Sequence, residues 1–140
     1  MSELIVFDSS VLLANLRTGR YREQLGAVQG FVRNSSVVLA KMWRASTTDA
    51  EREFVRALSR NHPVLTPTEA MWLESGQVLG KLEKLGTKPD ELRSLHLDVL
   101  IGLTVRAHGA RLISGHGQSG MVRIFVDFEI EFWWEGRVDG

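Results

Sequence analysis

The run Leu4-Ile5-Val6-Phe7 is apolar at every position and rich in strand formers, and it stops abruptly at Asp8. A strand with apolar side chains on both faces must be covered on both faces, as in the centre of a parallel sheet with helices above and below. Three later segments read as the same kind of strand: Ser36-Val37-Val38-Leu39, the short Pro63-Val64-Leu65, and Ala110 to Ser114. A final element alternates Val122, Ile124, Val126, Phe128, Ile130 and Phe132 with Arg123, Asp127, Glu129 and Glu131, the pattern of an edge strand with one wet face.

Helical patterns fill the intervals. Ser9 or Asp8 is suited to cap a helix starting at Ser10-Val11-Leu12-Leu13, Arg17-Thr18-Gly19 breaks it, and a second helical stretch is expected from about Tyr21 to Phe31. A short helix through Lys41-Met42-Trp43 follows the second strand. Ser46-Thr47-Thr48-Asp49 then forms a loop and caps a helix ending near Asn61. Pro67 opens a long helix through Met71, Leu73, Val78 and Leu82, closed by Gly86. From Asp90 the chain is helical and apolar almost all round, the mark of a buried central helix, up to His108-Gly109. Strands alternating with helices predict an open, mostly parallel, doubly wound α/β sheet, formed by residues 1–140 as a single domain without repeat or linker. In such sheets sites form beyond the carboxyl ends of the strands. Asp8 and Ser114 are expected at that rim.

Acids and bases cancel, 17 Lys+Arg against 17 Asp+Glu, so no global field draws the chain toward nucleic acid or an anionic membrane. The absence of cysteine excludes disulfides, thiolate metal sites and a thiol nucleophile, and fits a reducing compartment. No run approaches the ~18 apolar residues of a membrane span. A cytoplasmic protein is expected.

Against this background two carboxylates stand out. Asp8 ends the first core run, and Asp98 interrupts the apolar segment Leu95 to Val105. An ionised carboxylate removed from water is costly unless it is paired or binds a metal. Asp8 has a plain alternative role as a helix N-cap, and Asp98 as an ion-pair partner of Arg93 or Arg106. Together they point to a carboxylate metal site.

At these positions the chain resembles the PIN-domain family. Leu4-Ile5-Val6-Phe7-Asp8-Ser9-Ser10-Val11-Leu12-Leu13 is similar to the family's opening motif. Leu97-Asp98-Val99-Leu100-Ile101-Gly102-Leu103 through His108-Gly109-Ala110-Arg111-Leu112-Ile113-Ser114 is similar to its third acidic motif. The length, the order of elements and Leu65-Thr66-Pro67-Thr68-Glu69-Ala70-Met71-Trp72 resemble the bacterial VapC-like toxin branch. The resemblance implies a PIN-like three-layer sandwich and a ribonuclease whose acids gather Mg²⁺ or Mn²⁺ to activate water against a phosphodiester. It further implies an RNA substrate, an antitoxin-type protein partner and a homodimer.

Of the family's four acids, Asp8 matches the first and Asp98 the third. Lys41 stands where the second is expected, after Val38-Leu39-Ala40, and His116 where the fourth is expected, after Ser114-Gly115. Four carboxylates would carry a formal −4, whereas Asp8, Asp98 and Lys41 carry −1 with His116 neutral. Two readings follow. In one, Asp8 and Asp98 bind the metal and catalyse, with Ser9 and Ser114 assisting and Asp127, Glu69 or His116 completing the site. In the other, the Lys41 ammonium replaces the cation in a PIN-like binding or regulatory module. The segment Ser114-Gly115-His116-Gly117-Gln118-Ser119-Gly120 reads as a turn more readily than as a phosphate cradle, and His62, His96 and His108 show no ligand spacing. Trp133-Trp134, at the end of the edge strand, are suited to packing on the chain's own helices, or on a second protomer or a partner peptide.

Overall fold

A computed structural model describes residues 3–114 and the strand Trp133–Trp134. The segment 122–132, expected as an edge strand, lies outside the described residues, as do His116, Asp127 and the glycine-containing segment 115–120. The elements run β1 (Leu4–Phe7), α1 (Ser9–Thr18), α2 (Arg22–Ala27), β2 (Phe31–Val32), β3 (Asn34–Ser35), α3 (Ser36–Ala45), α4 (Asp49–Asn61), β4 (Val64–Leu65), α5 (Glu69–Lys84), α6 (Pro89–Ala107), β5 (Arg111–Ser114) and β6 (Trp133–Trp134).

The main sheet has the order β2-β1-β5-β6, with every neighbouring pair parallel, so β1 is an interior strand as its apolar run requires. Phe7 lies opposite Ile113, and the Asp8 amide continues the ladder by donating to the Ile113 carbonyl at 2.9 Å. Alternation along the strands divides the core. Ile5 and Ile113 face one way, packing with Val11 and Tyr21 of the α1–α2 side. Val6 and Leu112 face the other way and pack with Val38 and Met42 of α3, Val78 and Leu82 of α5 and Val99 to Val105 of α6. Helices on both faces of a parallel sheet give the expected three-layer α/β sandwich.

Local signals end most elements where the sequence places them. Gly19, at φ 70°, closes α1, and Gly109, at φ 58°, follows α6. Thr48 and Thr68 cap α4 and α5, each hydroxyl accepting an amide N–H three residues on. The long helix therefore starts at Glu69, two residues after Pro67.

Two expectations fail in the first third of the chain. The helix expected from Tyr21 to Phe31 stops at Ala27, and Phe31–Val32 is instead the strand β2, paired with Leu4 and Ile5. Gly30 permits this return. Its φ is 145°, and a Cβ there would lie 2.6 Å from Ile5 Cδ1 and 2.7 Å from the Glu3 carbonyl. The segment Ser36-Val37-Val38-Leu39 is not a strand: it is the first turn of α3, continuous with the helix through Lys41. Ser35 decides the matter, because its buried hydroxyl accepts from the Val37 amide at 3.1 Å and the Val38 amide at 3.3 Å. Satisfying two of the helix's unpaired donors outweighs the strand preference of two valines. The preceding Asn34–Ser35 and Val64–Leu65 form a separate two-stranded parallel sheet.

Candidate functional site

Parallel strand order brings the carboxyl ends of β1 and β5 to one rim, so Asp8 and Ser114 meet although 106 residues separate them. Asp8 is wholly inaccessible to solvent. It occupies the N-cap position of α1, but its side chain makes no capping bond there. Its Oδ2 accepts from the Ser114 hydroxyl at 3.2 Å and from the Ser10 hydroxyl at 3.1 Å. The plain capping role is thus set aside in favour of a carboxylate aimed into the rim. Ser9, expected beside it, is buried at the first position of α1, while its neighbour Ser10 supplies the hydrogen bond. Ser10 escaped the sequence reading because adjacent serines at a helix start are indistinguishable until the helix phase is fixed.

The helical phase of α3 places Lys41 three and four residues after the buried Val38 and Val37, on the flank of the core-facing side. Its stem runs inward and its ammonium reaches α6. Lys41 Nζ donates to Asp98 Oδ1 at 2.8 Å and lies 3.7 Å from Asp8 Oδ1. Asp98 therefore pairs with neither Arg93 nor Arg106, which meet Asp90 and Glu74 respectively. Exposure of the three side chains is 24% for Lys41, 17% for Asp98 and 0% for Asp8. Burial alone pushes the ammonium toward losing its proton, but the Asp8 and Asp98 charges, with their hydrogen bonds, more than offset this and hold Lys41 above its usual value. The geometry holds the amine as a cation between the two carboxylates.

Four of the residues singled out from the sequence, Asp8, Asp98, Lys41 and Ser114, thus come together. Glu69, considered as an additional acid, is instead an exposed first-turn residue of α5. His62 caps the end of α4, His108 that of α6, and His96 faces the Ser75 hydroxyl at 3.2 Å and the edge of Trp72.

A divalent cation in this rim would need the oxygen atoms that the ammonium now engages. Among the described residues, no three His, Asp or Glu side chains gather as ligands. Asp8, Asp98 and Lys41 sum to −1, and the positive charge already lies between the two carboxylates. Mg²⁺ is commonly held by one or two protein carboxylates with waters completing its shell, but here the ammonium engages both carboxylates of the described rim. With the ammonium in place, the described residues by themselves do not fit a resident Mg²⁺ or Mn²⁺.

Beside the triad, α3 and α6 line a half-open cavity of about 550 Å³ that Lys41 also borders. No helix among the described residues is long and apolar enough to cross a membrane.

No protein-family model and no curated protein matches the sequence. Solved structures do match. One is the VapBC2 complex from Rickettsia felis bound to a DNA fragment from its promoter, with 12% identity and a TM-score of 0.66 over 94% of this chain and 98% of the matched one. Another is the DNA-bound VapBC complex from Salmonella typhimurium, with 16% identity and a TM-score of 0.61 over 96% of this chain and 98% of the matched one. At such identities the likeness is one of fold, and the fold is PIN-like, as the acidic motifs imply.

Proposed function

We propose that this chain is a PIN-like protein of the toxin–antitoxin type in which a lysine has taken the place of the catalytic cation, so that its acidic rim serves partner binding and not metal-dependent RNA cleavage. The observation that carries this reading is the Lys41 ammonium, 2.8 Å from one rim carboxylate and 3.7 Å from the other. An internal cation offsets one of the two negative charges without solvent metal, and its charge repels a second cation from the same oxygens. At an effective dielectric near 20, a unit charge at ~4 Å is worth about 4 kcal/mol. The reading takes residues 1–140 as one cytoplasmic domain that works with an antitoxin-type protein and a second copy of itself. The complexes in which its structural neighbours were solved support the protein partner.

The competing reading is a Mg²⁺- or Mn²⁺-dependent endoribonuclease with Asp8 and Asp98 as ligands. The convergence of those two acids with Ser114 on one rim favours it.

Calorimetric titration of Mn²⁺ into the protein and into Lys41→Glu separates the two. The unaltered protein should give no binding heat, and Lys41→Glu, which changes the local sum from −1 to −3, should gain it. Micromolar Mn²⁺ binding by the unaltered protein, together with cleavage of structured RNA that is lost in Asp98→Asn, refutes the proposal in favour of the nuclease.

A further inference from the structure

We infer that the cavity between α3 and α6 is a docking site for an acidic, apolar peptide segment of a protein partner. The inference rests on the reading that Lys41 has replaced the rim cation, and it concerns different residues.

The chemistry of the lining is two-sided. Ala40, Ala45 and the half-exposed Leu97 give it an apolar floor, while Lys41, Arg44 and Arg93 give it three cations, and none of the described lining residues is acidic. Its volume, about 550 Å³, falls within the range of sites that enclose a few side chains or a small ligand. Lys41 is committed to Asp98 and Asp8, so the recognition charge falls to the arginines. Among the described residues no carboxylate pairs with Arg44. Arg93 pairs with Asp90, but both side chains are open to water, and an exposed pair of this kind exchanges partners readily. Two guanidinium groups flanking an apolar floor complement a carboxylate a few residues from a large apolar side chain.

The same lining argues against a nucleic-acid strand. Single-stranded nucleic acid is held by aromatic stacking platforms along a basic groove, and none of the described lining residues is aromatic. A basic segment, suited to a rim of uncompensated acids, is excluded at short range by the two arginines and by Lys41.

Selection of displayed random dodecapeptides on the immobilised full chain tests the inference. The enriched peptides should combine Asp or Glu with nearby Leu, Ile, Met or Phe. A fluorescein-labelled peptide of the leading sequence should bind about tenfold more weakly to Arg44→Glu and to Arg93→Glu, as loss of a charge-assisted contact requires. Both positions are exposed, so unchanged thermal unfolding identifies a binding effect. Enrichment of basic peptides, no enrichment, or binding indifferent to both arginines overturns the inference. So does oligouridylate binding with the same arginine dependence, which makes the cavity an RNA groove. Because neither arginine belongs to the triad, the Mn²⁺ titration reports separately on the reading beneath.

Discussion

Replacing Lys41 with methionine keeps most of the apolar stem and removes the charge that Asp8 and Asp98 share. At an effective dielectric near 20, charges at 2.8 and 3.7 Å attract by about 6 and about 4.5 kcal/mol respectively. Withdrawing the ammonium from water and holding the two carboxylates near one another offset much of that gross attraction. Truncating one member of a buried ion pair costs about 3–5 kcal/mol, because the abandoned charge stays buried. Asp8 is fully buried, but Lys41 retains 24% exposure, so the low end applies and Lys41→Met should destabilise by about 3 kcal/mol. In urea unfolding followed by tryptophan fluorescence, with a slope of about 1.5–2 kcal/mol per molar, the midpoint should fall by roughly 1.5–2 M. Adding Asp98→Asn removes one of the abandoned charges, so the double variant should be less destabilised than the sum of the single ones by about 2 kcal/mol. The pH dependence has a fixed sign. Because the Lys41 pKa is raised on folding, its contribution is complete below the unfolded value of 10.5 and is lost as pH rises through the higher folded value. Lys41→Met should lack that alkaline limb. A midpoint within about 0.3 M of the parent, with no coupling to Asp98, would show an ordinary snorkelling lysine and refute the internal-cation argument.

Three further outcomes test the scaffold that presents the rim. Glu51 receives both Nε and Nη2 of Arg17, at 2.8 and 3.0 Å, and these bonds, followed by that from the Thr47 amide, lower its pKa from 4.5 to about 2. Its stabilising contribution should be complete above pH 4.5 and disappear as pH falls toward 2, and Glu51→Gln should flatten that limb in acid unfolding monitored by circular dichroism. Ser35→Ala removes the buried cap of α3 and should lower stability in urea by about 1–2 kcal/mol; an unchanged midpoint would show that the cap does not set the helix start. Gly30→Ala should destabilise more, by about 2–4 kcal/mol in thermal melts, because its Cβ meets Glu3 backbone at 2.7 Å at a φ that side chains rarely adopt. A melt equal to the parent's would disprove the close approach.

Features encoded by near neighbours could be read without coordinates. The run Leu4 to Phe7 specified an interior parallel strand, Gly19 and Gly109 ended helices, Thr48 capped another, and Asp8 and Ser114 were placed at strand ends, hence at one rim. Short apolar segments were less legible. Val37-Val38-Leu39 fits a buried strand or a helix turn equally, and only Ser35 accepting both amides selected the helix. Phe31–Val32 became a strand because β1 offered it a free edge. The sequence by itself therefore settled the layers and the direction of the sheet, since patterning and caps act over a few residues. Tertiary structure decided where the positive charge goes. Lys41 meets Asp98 across 57 residues, through the phase of α3 and its packing on α6, and electrostatic partnership depends on that distance and burial, which no local pattern contains.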